Sequence, residues 1–240
     1  MSLDIDNIEV AEPTPVVDNA PEHHARFKGI PWYDPSYSMI LGGVGGIGSM
    51  LAFMLGRAGY TLILFDDDRV EKHNQGNQLF SSYDIGSFKT DAVRKMLTEY
   101  SNNYDSQVFN SKYTEASEYD DIMFSCFDNM AARKVFFENW CKNPNRKIFI
   151  DGRLAMEYWQ IYTVVPGQED RYRATLFDDS EVEDAPCTVK ATSHCGAMIA
   201  SVMMGIFTNY IFNIKLGDNL REIPFKTAFD IPTIQLDVEC

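Results

Sequence analysis

Apolar positions along the chain alternate between two rhythms. Short apolar runs fall at Tyr37–Leu41, Thr61–Phe65, Gln107–Phe109, Ile122–Cys126 and Lys147–Ile150. Between them lie stretches with helical spacing. Ile47–Ala58 is closed by Gly59. Lys89 to about Tyr100 carries Val93, Met96 and Leu97 on one face, with Ser87 as N-cap, and Ala131–Cys141 follows. Strands alternating with helices predict parallel βαβ units and an α/β, doubly wound sheet. Trp159–Val165 and Thr233–Val238 alternate as antiparallel strands do, so the sheet is expected to be mainly parallel with antiparallel strands toward the C-terminus.

Two segments break this texture. Residues 1–35 hold five of the ten prolines and six acids before Arg26, which reads as an extended, mobile arm ahead of one domain over 36–240. Solvated arm residues are expected at His23 and His24. Cys195–Ile214 is uncharged over twenty residues, near the length of a membrane span. It contains Ser201, Thr208, Asn209 and Asn213, lacks basic flanks and closes an α/β pattern, so a buried core or dimer-interface helix is expected instead.

Composition narrows the class. The 240 residues carry a net charge of −14, with 45% hydrophobic and 23% charged residues. A surface this acidic repels phosphate backbones and anionic lipid, which argues against nucleic acid or membrane as the main partner. Five cysteines (Cys126, Cys141, Cys187, Cys195 and Cys240) include no CxxC pair, so no structural zinc is expected. With an acidic opening and no apolar leader after it, the expected location is the cytoplasm. Cys126 and Cys141 read as small core hydrophobes, and Cys195 as packing at a helix start.

The chemistry begins at Gly43-Val44-Gly45-Gly46-Ile47-Gly48, a G-x-G-x-x-G turn between strand and helix, with Asp66 at the end of the next strand. Such glycines let backbone approach a phosphate at a helix N-terminus, and the acid accepts hydrogen bonds from ribose hydroxyls. The fold is therefore Rossmann-like, and the turn alone leaves NAD, FAD and ATP open. The polar set that follows favours a triphosphate. It comprises Asp66, Asp68, Asn74, Gln78, Lys89, Asp128 and Asn129, supplying a cation for phosphate, amides for polar contacts and an Asp for Mg²⁺. A nicotinamide-dependent oxidoreductase using the same turn is the alternative, and it leaves this polar set without a task.

Order and spacing resemble the ThiF/MoeB/HesA superfamily, whose adenylating domain is shared with ubiquitin-activating enzymes. The matching elements are Gly43–Gly48, Asp66-x-Asp68-x-Val70, Asn74, Gln78, Ile85-Gly86-x-x-Lys89 and Asp128-Asn129-x-x-x-Arg133. They cover about residues 37–165, the remainder matching in outline. The resemblance implies an ATP- and Mg²⁺-dependent adenylyltransferase, homodimeric, that activates the C-terminal carboxylate of a ubiquitin-like or sulfur-carrier protein ending in glycine. It implies nucleotide contacts at Gly43, Gly45, Gly46, Gly48, Asp66, Asp68, Asn74, Gln78, Lys89, Asp128 and Asn129. Asp128 would hold the metal and Lys89 would stabilise developing charge.

The family's phosphate-contacting Arg falls at Asn77, a neutral amide without guanidinium charge or geometry. Arg26, Arg69 and Lys72 are the candidate substitutes; without one, a catalytically weakened nucleotide-binding scaffold is the further alternative. The resemblance also implies a crossover loop at about 178–194. There Pro186-Cys187-Thr188 resembles the thioester site of ubiquitin-activating enzymes, with Lys190 and His194 as cations able to lower the Cys187 pKa. An inert loop cysteine is the competing reading. Glu181-Val182-Glu183-Asp184 reads as a solvated loop, or as a selector for a carrier with a basic face.

Overall fold

In the computed structural model of the chain, residues 22–178, 192–217 and 220–240 are described. Eight strands form one sheet in the order β3-β2-β1-β4-β5-β6-β7-β8. The strands are β1 (Ser38–Gly42), β2 (Thr61–Phe65), β3 (Gln107–Phe109), β4 (Ile122–Ser125), β5 (Ile148–Ala155), β6 (Tyr158–Val164), β7 (Lys226–Asp230) and β8 (Gln235–Glu239). The first five run parallel and the last three antiparallel, as the patterning predicts. Chain order reverses between β1 and β4, so the crevice at their C-terminal ends is the topological switch point.

Helices cover both faces. On one side α1 (Gly48–Arg57), α2 (Lys89–Ser101) and α5 (Ser193–Leu216) pack over Met39, Leu41, Leu62 and Leu64. On the other, α3 (Met130–Lys142) and α4 (Glu169–Arg173) bring Phe136, Phe137, Trp140 and Tyr172 against Ile40 and Phe149. Adjacent strand residues thus serve opposite cores, the period-two consequence of a sheet covered twice. α5 is long and apolar enough to cross a membrane by length and composition. Here its inner face lies in the core, where Phe207 is fully buried edge-on to Tyr60 and Phe124 at 5.4 and 5.5 Å.

Three local expectations change. Residues 22–35 do not form a free arm. Glu22–Phe27 is a 3₁₀ turn, His24 and Tyr33 are buried, and the Tyr33 hydroxyl lies 2.8 Å from His24 Nδ1. Phe27 and Trp32 pack on the core, so aromatic burial overrides the proline-rich composition that suggested mobility. Residues 1–21 lie outside the described residues. Ser87 does not cap α2. The N-cap is Phe88, with no side-chain cap, because Phe88 bridges to Arg69 and the Lys89 N–H donates to the Asp68 carbonyl at 3.0 Å. Finally, β7 has no counterpart in the apolar pattern. It is a five-residue strand with charged ends, and pairing with β6 and β8 on its two sides stabilises it.

Truncating Phe207 to Ala is expected to cost about 3–5 kcal/mol of unfolding free energy. Urea denaturation of the two proteins measures the difference, and a loss below about 1 kcal/mol would show that α5 does not anchor this core.

Candidate nucleotide-binding site

The glycine turn is shaped by what surrounds it. Gly43 has φ +82°, and a Cβ there would sit 2.7 Å from the Cys126 carbonyl oxygen at the end of β4. A Cβ at Gly48 would overlap the Gly43 carbonyl oxygen. These two glycines are therefore required by packing alone. Gly45 and Gly46 differ: their nearest neighbours would be Gln78 Nε2 at 3.8 Å and the Asn77 carbonyl at 3.6 Å. The turn thus faces the Asn77–Gln78 segment and leads directly into α1, where the Ser49 N–H donates to the Gly45 carbonyl at 3.0 Å.

Asp66 closes the turn from β2. One carboxylate oxygen accepts from the Val44 N–H at 2.8 Å and the other from the Asp68 N–H at 2.9 Å. Burial pushes its pKa up, opposed by Lys89 and by these two N–H groups. Each oxygen keeps a lone pair for a further donor. Asp68 accepts from Lys89 Nζ at 2.7 Å, and Lys89 is buried at the first position of α2. The carboxylate oxygens of Asp66, Asp67 and Asp68 lie within 4.8 Å of one another.

Asn74 is buried, and its side-chain oxygen accepts the Glu71 N–H at 2.7 Å, capping the 3₁₀ turn Lys72–Gly76. This contact fixes the segment that presents Asn77 and Gln78. The side-chain oxygens of Asn77 and Gln78 are buried without a hydrogen-bond partner among the described residues. Orphaned buried oxygens are costly unless something else meets them. Of the candidate cations, Arg69 is committed: it donates to the Gly86 carbonyl at 2.7 Å and lies 3.9 Å from the Phe88 ring centroid. Arg26 and Lys72 are exposed, Lys72 on the same 3₁₀ turn that leads to Asn77.

Asp128 follows β4, two residues beyond the Cys126 carbonyl that touches Gly43. It is exposed, and one oxygen accepts from Asn129 Nδ2 at 3.2 Å. The Asn129 side-chain oxygen accepts the Ala132 N–H at 2.8 Å and so serves as the N-cap of α3. Arg133, the last position of that motif, is buried and turns inward to Asp151, a fully buried carboxylate of β5 at the last residue that this strand pairs with β4. Asp151 also accepts from Arg153 Nε at 2.7 Å and from the Tyr172 hydroxyl at 3.0 Å. Burial raises the Asp151 pKa, but the Arg133 and Arg153 charges overcome it and hold the carboxyl below its ordinary range.

Cys187, Lys190 and the acidic run 181–184 lie outside the described residues. His194 is exposed at the start of α5, its Nε2 3.2 Å from Thr192 Oγ1. Cys195, Cys126 and Cys141 take the packing roles expected of them. The first two are buried, and burial raises the pKa of Cys126 and lifts that of Cys141 to about 11. Two contributors escape sequence reasoning. Asp151 sits where an apolar strand run ends in Asp-Gly, at the C-terminal edge that carries sites in parallel sheets. Gly196 gives no local signal, yet a Cβ there would come 2.5 Å from the Gly46 carbonyl oxygen.

A glycine turn at the switch point of a doubly wound sheet, with a carboxylate following β2, defines a Rossmann-type fold. The chain belongs to the ThiF family, whose model matches residues 35–237. Among curated relatives, ubiquitin-like modifier-activating enzyme 5 of Bombyx mori is 31% identical over 221 residues, covering 81% of this chain and 55% of its own length. The Rattus norvegicus enzyme of the same name is 25% identical over 241 residues, covering 84% and 58%. The chain therefore spans little more than half the length of these relatives. Among solved structures, E. coli MccB with ATP superposes with a TM-score of 0.70 at 17% identity, covering 92% of this chain and 72% of that one. At that identity the likeness establishes the fold.

Two measurements test the site's construction. Gly48→Ala should abolish nucleotide binding by calorimetry while Gly45→Ala, whose Cβ would meet only Gln78 at ordinary van der Waals distance, leaves the fold intact. Arg133→Met should cost about 3–5 kcal/mol at pH 7, because it leaves a buried carboxylate short of a partner. Asp151 is held below the unfolded value of 3.8, so its pairing stabilises the fold above that pH and the contribution is lost as pH falls through the folded value. The gap between wild type and Arg133→Met should accordingly narrow below about pH 4 in chemical denaturation, and a pH-independent gap would contradict the pairing.

Proposed function

We propose that this chain is an ATP-dependent adenylyltransferase that activates the C-terminal carboxylate of a small ubiquitin-like or sulfur-carrier protein. The observation that carries this reading is the joining of the Asp66–Asp68–Lys89 chain and the Asp128 loop to one glycine turn, in a member of the ThiF family. Relatives named as ubiquitin-like modifier-activating enzymes, and MccB structures with ATP and with MccA, support it. An oxidoreductase is disfavoured, since hydride transfer gives the Asp68–Lys89 pair and Asp128 nothing to do.

In the reaction proposed, a carboxylate oxygen of the carrier attacks the α-phosphorus of ATP. The bond from that phosphorus to the bridging oxygen breaks and pyrophosphate leaves with the electron pair. Positioning and charge neutralisation supply most of such catalysis. Asp66 orients the ribose, the glycine turn and α1 N-terminus hold phosphate oxygens, and the Lys89 ammonium offsets developing charge. The orphaned Asn77 and Gln78 oxygens beside Gly45 and Gly46 fit a ligand with hydroxyl or amine donors. The donor set also fits magnesium, a hard cation that prefers carboxylate oxygen: Asp128 would hold it, and it would supply Lewis-acid neutralisation of phosphate charge. A homodimer, a carrier ending in glycine, acyl transfer to Cys187 and a cytoplasmic location complete the proposal. They rest on the family resemblance.

The test is the thermal midpoint of the purified protein with Mg·ATP, with ATP plus chelator and with NADH. Ligand at a hundredfold its Kd stabilises the native state by about 2.7 kcal/mol. The expected result is a rise with Mg·ATP that the chelator diminishes and NADH does not reproduce. Lys89→Ala should then lower ATP–pyrophosphate exchange, with a carrier supplied, by about a hundredfold or more. A rise with NADH alone would return the turn to the oxidoreductases. Binding of Mg·ATP without exchange for any carrier would make the chain a nucleotide-binding scaffold, with Asn77 as the cause.

A further inference from the structure

Beneath the Asp128 loop lies a buried group of charges that the proposed chemistry does not use. Asp151 is fully buried in β5, where it faces Ser125, the last residue of β4, at the end of the parallel pairing between the two strands. Arg133 reaches it from the first turns of α3, and the same guanidinium donates to the Phe127 carbonyl and, at 3.0 Å, to the Gly152 carbonyl. One planar cation therefore ties three acceptors, two within β5 and one just beyond β4, a geometry that an ammonium cannot copy. On its other side Asp151 holds Arg153. That guanidinium donates to the Thr175 carbonyl and Thr175 Oγ1, both at 2.9 Å, in the turn after α4.

Phe127 is the residue before Asp128, and its carbonyl is the last backbone acceptor that the core grips before the chain becomes exposed. We infer that Asp151 is the positioning residue of this site. Through Arg133 it fixes the Phe127 backbone and so the place of the Asp128 carboxylate, and through Arg153 it fixes the Thr175 turn beside the same sheet edge. Partners of a metal-holding carboxylate normally tune affinity without touching the metal. Asp151 does so at one remove, by way of backbone. The consequence for magnesium rests on the adenylating reading; the fixing of the Asp128 loop does not.

The experiment pairs amide hydrogen exchange with ATP titration calorimetry, in Mg²⁺ and in EDTA, on wild type, Asp151→Asn and Arg133→Lys. Arg133→Lys retains the charge beside Asp151 and so keeps the protein folded if the asparagine variant fails to fold. Amides of residues 127–130 should exchange about tenfold faster in either variant, while those of β1 and the glycine turn hold their wild-type rates. ATP affinity in EDTA should be unchanged, and affinity in Mg²⁺ should fall by about 10–100-fold. Unchanged exchange at 127–130 overturns the inference, and so does an equal loss of affinity in Mg²⁺ and EDTA, which would mark a general structural role. If wild-type affinity is the same in both media, the magnesium reading of Asp128 fails, and the exchange rates alone decide whether Asp151 positions the loop.

Discussion

Everything at this site depends on backbone meeting backbone where the sheet reverses direction. Gly43 touches the Cys126 carbonyl, Gly48 touches Gly43, and Gly196 at the start of α5 touches the Gly46 carbonyl. No side chain fits at any of the three contacts. The first turn of α1, the end of β4 and the first turn of α5 are thereby held as one unit, and the open side of the glycine turn is left to Asn77, Gln78 and solvent. A close approach of this kind keeps side chains out of a turn at the start of a helix, the place where such folds receive phosphate.

Around that contact the charged residues form a hierarchy. Asp66 is bound to the turn itself through the Val44 N–H, and Asp68 and Lys89 follow from it by one hydrogen bond each. Arg133 and Asp151 do the equivalent work for β4 and β5 from below the sheet edge. A protein of net charge −14 keeps a buried guanidinium, a half-buried one and a buried carboxylate together here. Burying charges costs free energy unless each is paired and hydrogen-bonded, and here every one of them is. Such networks fix geometry more reliably than they add stability.

The motif residues of the chain divide into two kinds once their contacts are known. Asp66 is bonded to the glycine turn, Gln78 lies beside it and Asp128 is exposed, whereas the hydrogen bonds of Asn74, Asn129 and Arg133 hold the surrounding fold. Asn74 caps a 3₁₀ turn, Asn129 caps α3 and Arg133 ties β5 to the segment after β4. Linear order treats them alike because both kinds are polar residues at loop positions. A short polar side chain is as useful for capping a helix as for meeting a ligand.

Read alone, the chain determined the strand and helix sequence from β1 to β6, the switch to antiparallel pairing and the position of the glycine turn. These follow from local rules: side-chain period, the backbone freedom of glycine and the spacing of a βαβ unit. Tertiary structure decided what local rules cannot reach. It packed residues 22–35 through His24, Phe27 and Tyr33, formed β7 between two neighbours, and replaced the Ser87 cap by a backbone bridge. It brought Asp151 and Gly196 to the site from 85 and 150 residues after Asp66 and Gly46. Contacts between residues that far apart are selected by which surfaces the sheet presents to each other, and no window of sequence contains both partners.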